Sequence, residues 1–190
     1  MEKMKVLIAC EYSGIVRDAF LERGHDAMSC DILETESPGP HYKGDVFDVI
    51  DDGWDLMVAH PPCTYLCNSG VSWLWKRAGR WDAMWDGAMF FGALLGADIE
   101  RIAVENPIMH GYALEFVGRR PTQYIQPWEF GHGETKKTGL WLKGLPPLMP
   151  TEIVTGREQR LHRLPPGEDR WKERSKTFTG IAKAMAEQWG

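Results

Sequence analysis

What the sequence lacks narrows what the protein can be. No apolar run approaches the ~18 residues of a membrane-crossing helix, and none is expected here. The start, Met1-Glu-Lys-Met-Lys5, leads straight into an apolar strand with no cleavable signal pattern. Four cysteines (Cys10, Cys30, Cys63, Cys67) form no CxxC pair, and neither they nor the six histidines show zinc-ligand spacing. No metal site is expected, and reduced thiols in a cytoplasm fit best. There is no internal repeat, no low-complexity segment and no GxGxxG fingerprint. Positive charge is also short. The net charge of −5 weighs against a nucleic-acid partner, but it is unevenly spread. Residues 1–100 carry 8 Lys/Arg against 17 Asp/Glu, whereas residues 101–190 carry 14 against 10. The basic half can present a phosphate-facing surface or be ordinary solvated charge.

What is present is an alternation of short apolar runs with helical patterns, the mark of an α/β fold with a mostly parallel sheet. A chain of 190 residues is expected to form one domain. It is organised around Asp55-Leu-Met-Val-Ala-His-Pro-Pro-Cys63. Leu56 to Ala59 reads as a buried parallel strand. Pro61 and Pro62 fix φ and cannot donate to a sheet ladder, so the chain must leave the sheet there. Open α/β sheets bind ligands beyond the carboxyl ends of their strands. Cys63 is therefore either a nucleophile held on stiff backbone or an incidental thiol in a Pro-rich turn.

Upstream, Lys5 to Cys10 reads as a first strand. Glu11-Tyr-Ser-Gly14 is a tight turn, Ile15 to Arg23 a helix with Gly24 as its C-cap, and His25 to Cys30 a second strand with Asp31 at its tip. Such a unit lets a nucleotide cofactor approach the backbone, with the tip carboxylate on ribose hydroxyls, although many βαβ units bind nothing. Thr35 to Lys43 reads as a loop, and Phe47 to Asp52 as a short helical turn.

Thr64 to Arg80 reads as a long mobile loop, with a short helix over Val71 to Trp75 as the alternative. Trp81, Met84, Trp85, Ala88, Phe91 and Leu95 recur at helical spacing, which predicts core packing rather than a base-stacking platform. Arg101-Ile-Ala-Val-Glu-Asn-Pro107 repeats the central design, an apolar strand ending in a carboxylate, an amide and a proline. Glu105 would share a sheet edge with Cys63 if the two strands are parallel; otherwise it is a satisfied structural acid. Strands are expected near 123–127 and 140–142, an exposed polar excursion over 155–172, and a closing helix from Ile181 to Trp189.

A cysteine and a glutamate at neighbouring strand ends suit one specific chemistry. Carbon 5 of cytosine is a poor nucleophile until a thiolate adds to carbon 6 and the ring takes a proton at N3. That requires an activated thiol and a carboxyl group able to donate the proton.

On these residues the chain resembles the cytosine-C5 DNA methyltransferases, particularly the short phage and prophage forms. Pro61-Pro62-Cys63 matches their Pro-Cys motif, and Glu105-Asn106-Pro107 resembles Glu-Asn-Val. Glu11-Tyr12-Ser13-Gly14 sits where the family has its glycine-rich turn, Asp31 at the ribose-binding acid, and Gly44-Asp45-Val46 at the adenine-contacting motif. Arg174 to Gly180, with Thr179, is similar to the closing motif. Lys136 and Lys137 stand where the family carries two catalytic arginines.

The resemblance implies a Rossmann-like class I fold, with a mostly parallel sheet and helices on both faces. Its implied catalytic residues are Cys63, Pro62, Glu105, Asn106 and Lys137. S-adenosyl-L-methionine, or a related sulfonium donor, would be held by Glu11, Tyr12, Ser13, Gly14, Asp31, Asp45, Pro61, Thr179 and Gly180. The implied partner is DNA, read with low sequence specificity, in the cytoplasm of a bacterium or phage-infected cell. Two departures stand out. The turn is not glycine-rich, and residues 151–173 form only a short excursion where the family inserts a target-recognition domain on the order of a hundred residues. Residues 1–190 would then be one catalytic domain, with low specificity, very short sites, a single-stranded substrate, a homo-oligomer or a partner subunit as the ways it could work without that domain. Lys136, Lys137 and Arg157 to Lys176 could meet phosphates.

Three alternatives stand beside this reading. The same chemistry could act on a free cytosine nucleotide. His60-Pro-Pro-Cys63 partly matches the Asp/Asn-Pro-Pro-Tyr motif of amino-methyltransferases, but it lacks both the proton acceptor and the aromatic. A methyltransferase fold without catalysis could serve as a nucleic-acid or protein-binding module. Cys67 reads as a bystander.

Overall fold

The computed structural model describes residues 2–190. Its centre is β1 (Lys5–Ala9), where Val6, Leu7, Ile8 and Ala9 are all fully buried. A strand buried on both faces needs no alternation, so a continuous apolar run suffices. Parallel to it lie β2 (Asp26–Asp31) and β4 (Leu56–Ala59), one on each side. Next to β4 comes β5 (Arg101–Pro107), also parallel, which meets the condition for Glu105 to share an edge with Cys63. With β3 (His41–Lys43), β6 (Gln123–Ile125) and β7 (Thr138–Lys143), the seven-stranded order is β3-β2-β1-β4-β5-β7-β6. Here β7 runs antiparallel to both β5 and β6.

Helices cover both faces. Val6 and Ile8 pack with α1 (Ile15–Glu22) and α6 (Thr179–Trp189). Leu7 and Ala9 point the other way, into the core under α2 (Arg80–Leu95) and α3 (Gly111–Val117). This is a Rossmann-like α/β fold, as expected. Among the described residues, no helix is long and apolar enough to cross a membrane.

Several expectations change. The 35–43 loop ends in a short edge strand, β3 (His41–Lys43), held parallel to Ser29–Asp31. Thr64 to Arg80 is not a free loop. A 3-10 helix spans Asn68–Trp75, and the preceding turn is stitched to the chain beyond β5. Asn68 N donates to Ile108 O (2.7 Å), His110 N to Leu66 O (3.0 Å), and Cys67 and Met109 form a β-bridge. The aromatic stripe of α2 divides. Met84, Ala88 and Phe91 are buried, while Trp81 and Trp85 stay exposed beside Tyr112 and Phe116 of α3. Two residues four apart share a helix face, and the tryptophan face is rotated off the core face. The 155–172 excursion contains α4 (Arg160–Arg163) and the start of α5 (Arg170–Ser175).

Candidate active site

Strand register sets the site. Ala9 pairs with Cys30 and Ala59, and Ala59 pairs with Val104. One residue further on each chain, Asp31, Cys10, His60 and Glu105 form a row across the carboxyl edge of β2, β1, β4 and β5. Cys10 takes φ 59°, the left-handed region, as the chain turns out of β1. A non-glycine residue there is strained, and such strain collects at functional sites.

His60 N donates to Ala9 O (2.9 Å), which anchors the Pro-Pro segment to the sheet. Its Nδ1 lies 3.6 Å from Glu105 Oε1, an electrostatic contact longer than a hydrogen bond. Both side chains are recessed, 8% and 16% exposed, and neither imidazole nitrogen has a hydrogen-bond partner. Burial by itself would raise the Glu105 carboxyl. His60, and then the Lys136 ammonium, outweigh it and hold the group below its ordinary value. The three side chains line a cavity of about 20 Å³, closed by Thr138, Phe178, Ile181 and Met185.

Cys63 is half-buried, and its carbonyl accepts from Leu66 N and Cys67 N (both 3.0 Å). This single turn sets Cys67 against Cys63. Contact with Cys67, burial and the Glu105 charge all hold the Cys63 thiol well above an ordinary thiol. Cys67 moves the opposite way. Cys63, Ser69 (Oγ at 3.4 Å from its Sγ) and Arg174 favour its thiolate over the opposing effect of burial. Cys67 therefore lies against Cys63 and shares its electrostatics.

The turn after β1 is tightly self-satisfied. Glu11 is buried, and its carboxylate accepts from Val16 N (2.8 Å), Arg17 N (3.2 Å) and Ser13 Oγ (3.1 Å). It caps α1 from within, as acids do at helix N-termini. Gly14 precedes α1 at φ 76°. A Cβ there would stand 2.5 Å from the Arg17 guanidinium, so both conformation and space require glycine. Arg17 is fully buried and holds the 32–40 loop through Ser29, Thr35 and Ser37. Tyr12 Oη bonds Lys172 O (3.0 Å) and Ser175 Oγ (2.9 Å), and its ring lies against Trp171. With the Lys176–Glu36 ion pair (2.9 Å), these contacts lay residues 171–176 across the turn.

Asp31 Oδ1 accepts from Leu33 N (2.9 Å), and burial raises its carboxyl above the ordinary value. Asp45 accepts from Phe47 N and caps the 3-10 turn at Val46–Asp48. Pro61 is buried and Pro62 exposed. At the far end, Gly180 N donates to His132 Nε2 (3.0 Å), and Thr179 Oγ1 lies 3.3 Å from the same nitrogen. A Cβ on Gly180 would run into the Phe130 carbonyl.

The structure thus gathers Cys63, Glu105, Asp31 and the turn at one sheet edge and sets two expected residues apart. Lys137 Nζ lies over the Tyr124 ring at 4.5 Å; it is Lys136 that lines the cavity. Neighbouring residues of extended chain point to opposite sides, so only one of the two lysines can face inward. Asn106, next to Glu105, likewise faces away. It is fully buried, donating from Nδ2 to Pro107 O (2.6 Å) with its Oδ1 unpartnered. His60, Cys67 and Arg17 carry no sequence signal for a site, and Lys136, expected beside Lys137, takes the inward place.

A nucleotide-type cofactor with a sulfonium centre fits part of this edge. A recessed carboxylate at Asp31, a second acid at Asp45 and a glycine turn offer hydroxyl, amine and backbone contacts. Glu11 and Tyr12 are already engaged within the protein.

No protein-family model matches the sequence, and no curated protein matches it. Solved structures do. A prophage-encoded E. coli protein described as a DNA modification methyltransferase superposes with a TM-score of 0.51 at 14% identity, over 80% of this chain and 52% of its own. The Entamoeba histolytica methyltransferase EhMeth gives 0.50 at 15%, over 84% and 58%. The likeness is one of fold, a Rossmann-like α/β sheet shared with these proteins. The chain spans little more than half the length of these proteins.

Proposed function

We propose that this chain is a DNA (cytosine-5)-methyltransferase, acting through a covalent adduct at Cys63. The observation that carries the reading is the juxtaposition of the Cys63 turn and Glu105 at the ends of adjacent parallel strands. The Cys63 thiol gives up its proton as its sulfur adds to carbon 6 of a flipped cytosine, and the Glu105 carboxylate takes up that proton and passes it to ring N3. His60 and Lys136 position that carboxyl and hold its charge between turnovers. Carbon 5, now an enamine carbon, takes the methyl group. A base then removes the hydrogen on carbon 5, the carbon 6–sulfur bond breaks, and Cys63 is regenerated. S-adenosylmethionine or a related sulfonium would supply the electrophilic methyl and leave as the neutral thioether, and the Gly14 backbone, Asp31 and Asp45 would hold it.

On this reading residues 1–190 are one catalytic domain. Residues 151–173 replace a target-recognition domain, so DNA is read with low sequence specificity, alone or with a second subunit. Substrate and cofactor of this kind place it in a cytoplasm.

A second reading, a non-catalytic methyltransferase-fold module, is favoured by one observation. Glu11 and Tyr12 are spent on internal contacts, and residues 171–176 lie across the cofactor turn.

The test is incubation with S-adenosylmethionine and DNA containing 5-fluorocytosine, in which loss of the carbon 5 substituent is blocked. A covalent complex that needs both Cys63 and the cofactor supports the proposal. Trapping on 5-fluoro-dCMP alone would move the chemistry to a free nucleotide, and no trapping at all would favour the binding module.

A further inference from the structure

Outside the cavity, one flank of the molecule carries aromatic rings that the core does not take up. Trp75, Trp81 and Tyr112 pack edge to face, with centroids 5.2 to 5.6 Å apart. All three remain exposed, Trp75 to 61%. Such a patch costs solubility, and contiguous exposed apolar surface marks interaction sites.

The rings on this segment are interleaved with cations. Arg77 sits over the Trp73 ring at 4.4 Å, with Lys76 at 5.8 Å, and Arg80 over Tyr65 at 4.3 Å. From Leu56 through Trp81 there is no Asp or Glu, in a chain whose net charge is −5. The segment is also fixed in place. Arg80 Nη2 donates to Thr64 O (2.8 Å), one residue from Cys63, and the His110 ring bonds Tyr65 O (3.0 Å).

Exposed aromatic faces alternating with cations match the chemistry of an unpaired polynucleotide. Bases stack on the rings, and phosphates meet the Lys and Arg side chains. In a duplex the base faces are already stacked on each other, and only edges and backbone are offered. We propose that the surface from Tyr65 to Trp81 binds single-stranded DNA, stacking bases on Tyr65, Trp73 and Trp75 and pairing phosphates with Lys76, Arg77 and Arg80. The choice of DNA rests on the function proposed above. The surface supplies strand contact beside Cys63.

The test uses fluorescence anisotropy of the full chain with labelled oligothymidylate, the matching oligo(dA)·oligo(dT) duplex and oligouridylate. Tighter binding to oligothymidylate than to either of the others is expected. Trp73→Ala and Arg77→Gln should each weaken it roughly tenfold, with unchanged circular dichroism and melting temperature. Arg77→Gln should also flatten the salt dependence. Preference for the duplex or for oligouridylate would overturn the proposal, as would variants that bind like wild type. So would a concentration-dependent dimer in sedimentation that Trp75→Ala abolishes while oligothymidylate goes unbound. Thymidylate contains no cytosine, so this binding does not require the Cys63 chemistry. Thymidylate binding without 5-fluorocytosine trapping removes the catalytic reading alone, and trapping without preferential thymidylate binding removes this surface alone.

Discussion

His60 Nδ1 and Glu105 Oε1 face each other at 3.6 Å across two parallel strands. Removing the imidazole leaves the recessed Glu105 carboxylate with the Lys136 ammonium alone, at a cost of up to about 3 kcal/mol. His60→Gln is expected to destabilise the protein by that order at neutral pH. Because the Glu105 carboxyl is depressed in the folded state, its contribution is present above the unfolded value near 4.5 and is lost as pH falls through the lower folded value. The gap between wild type and variant in urea denaturation should therefore be full at pH 7 and shrink below about pH 4.5. A gap that is constant with pH would show that the pair carries no such linkage.

The Cys63–Cys67 contact makes a chemical prediction. Cys67 is the principal reason the Cys63 thiol is raised, with burial second. In wild type, iodoacetamide should modify Cys67 before Cys63 near neutral pH, read by peptide mass spectrometry. In Cys67→Ala, alkylation of Cys63 should shift to lower pH. An unchanged Cys63 profile would separate the two thiols.

Asp31 distinguishes a binding role from a structural one. Burial raises its carboxyl, so ionised Asp31 works against folding at neutral pH. Asp31→Asn should leave the melting temperature equal or higher. If Asp31 holds the hydroxyls of S-adenosylmethionine, the same change should weaken binding in calorimetry about ten- to a hundredfold, the worth of a charge-assisted hydrogen bond. A lower melting temperature with unchanged affinity would make the residue structural.

Gly14→Ala tests the turn. The substitution meets both a left-handed backbone and the Arg17 guanidinium. A loss of at least about 1 kcal/mol is expected from conformation alone, visible as a lower thermal midpoint. Arg17→Ala is costly by itself because it releases the hydrogen bonds to Ser29, Thr35 and Ser37, so the collision is read from a double-mutant cycle, in which the two changes together should cost less than the sum of each alone.

Much of the sheet could be read from the chain because its central strands are buried on both faces and so appear as unbroken apolar runs. The short apolar segments at 5–9, 56–59 and 101–104 are of this kind. Their ends were legible too, since Pro61 and Pro107 forbid continuation of the ladder. By contrast, β3 carries His41, Tyr42 and Lys43, which have no pattern of their own; only its pairing with β2 makes it a strand. The helix at Gly111–Val117 begins on His110, whose Nδ1 accepts from Ala113 N, an uncommon cap with no sequence signature. Pairings between distant residues were the least visible. His60 gains its meaning from Glu105, and Lys136 displaces Lys137 at the cavity because of which way the chain faces as it enters β7. Cys67 lies against Cys63 only because the chain makes a single turn between them, which the sequence does not announce.

The row formed by Asp31, Cys10, His60 and Glu105 has a consequence for how this protein can fail. Its members come from four separate stretches of chain and are aligned solely by the hydrogen-bond ladders of β2, β1, β4 and β5. A slip of one residue in any ladder would turn that strand's contribution to the opposite face of the sheet. Misregistered molecules could still be compact and helical, yet would have no site. The specific activity of a preparation would then report the fraction of chains paired in correct register, a quantity that neither solubility nor circular dichroism measures.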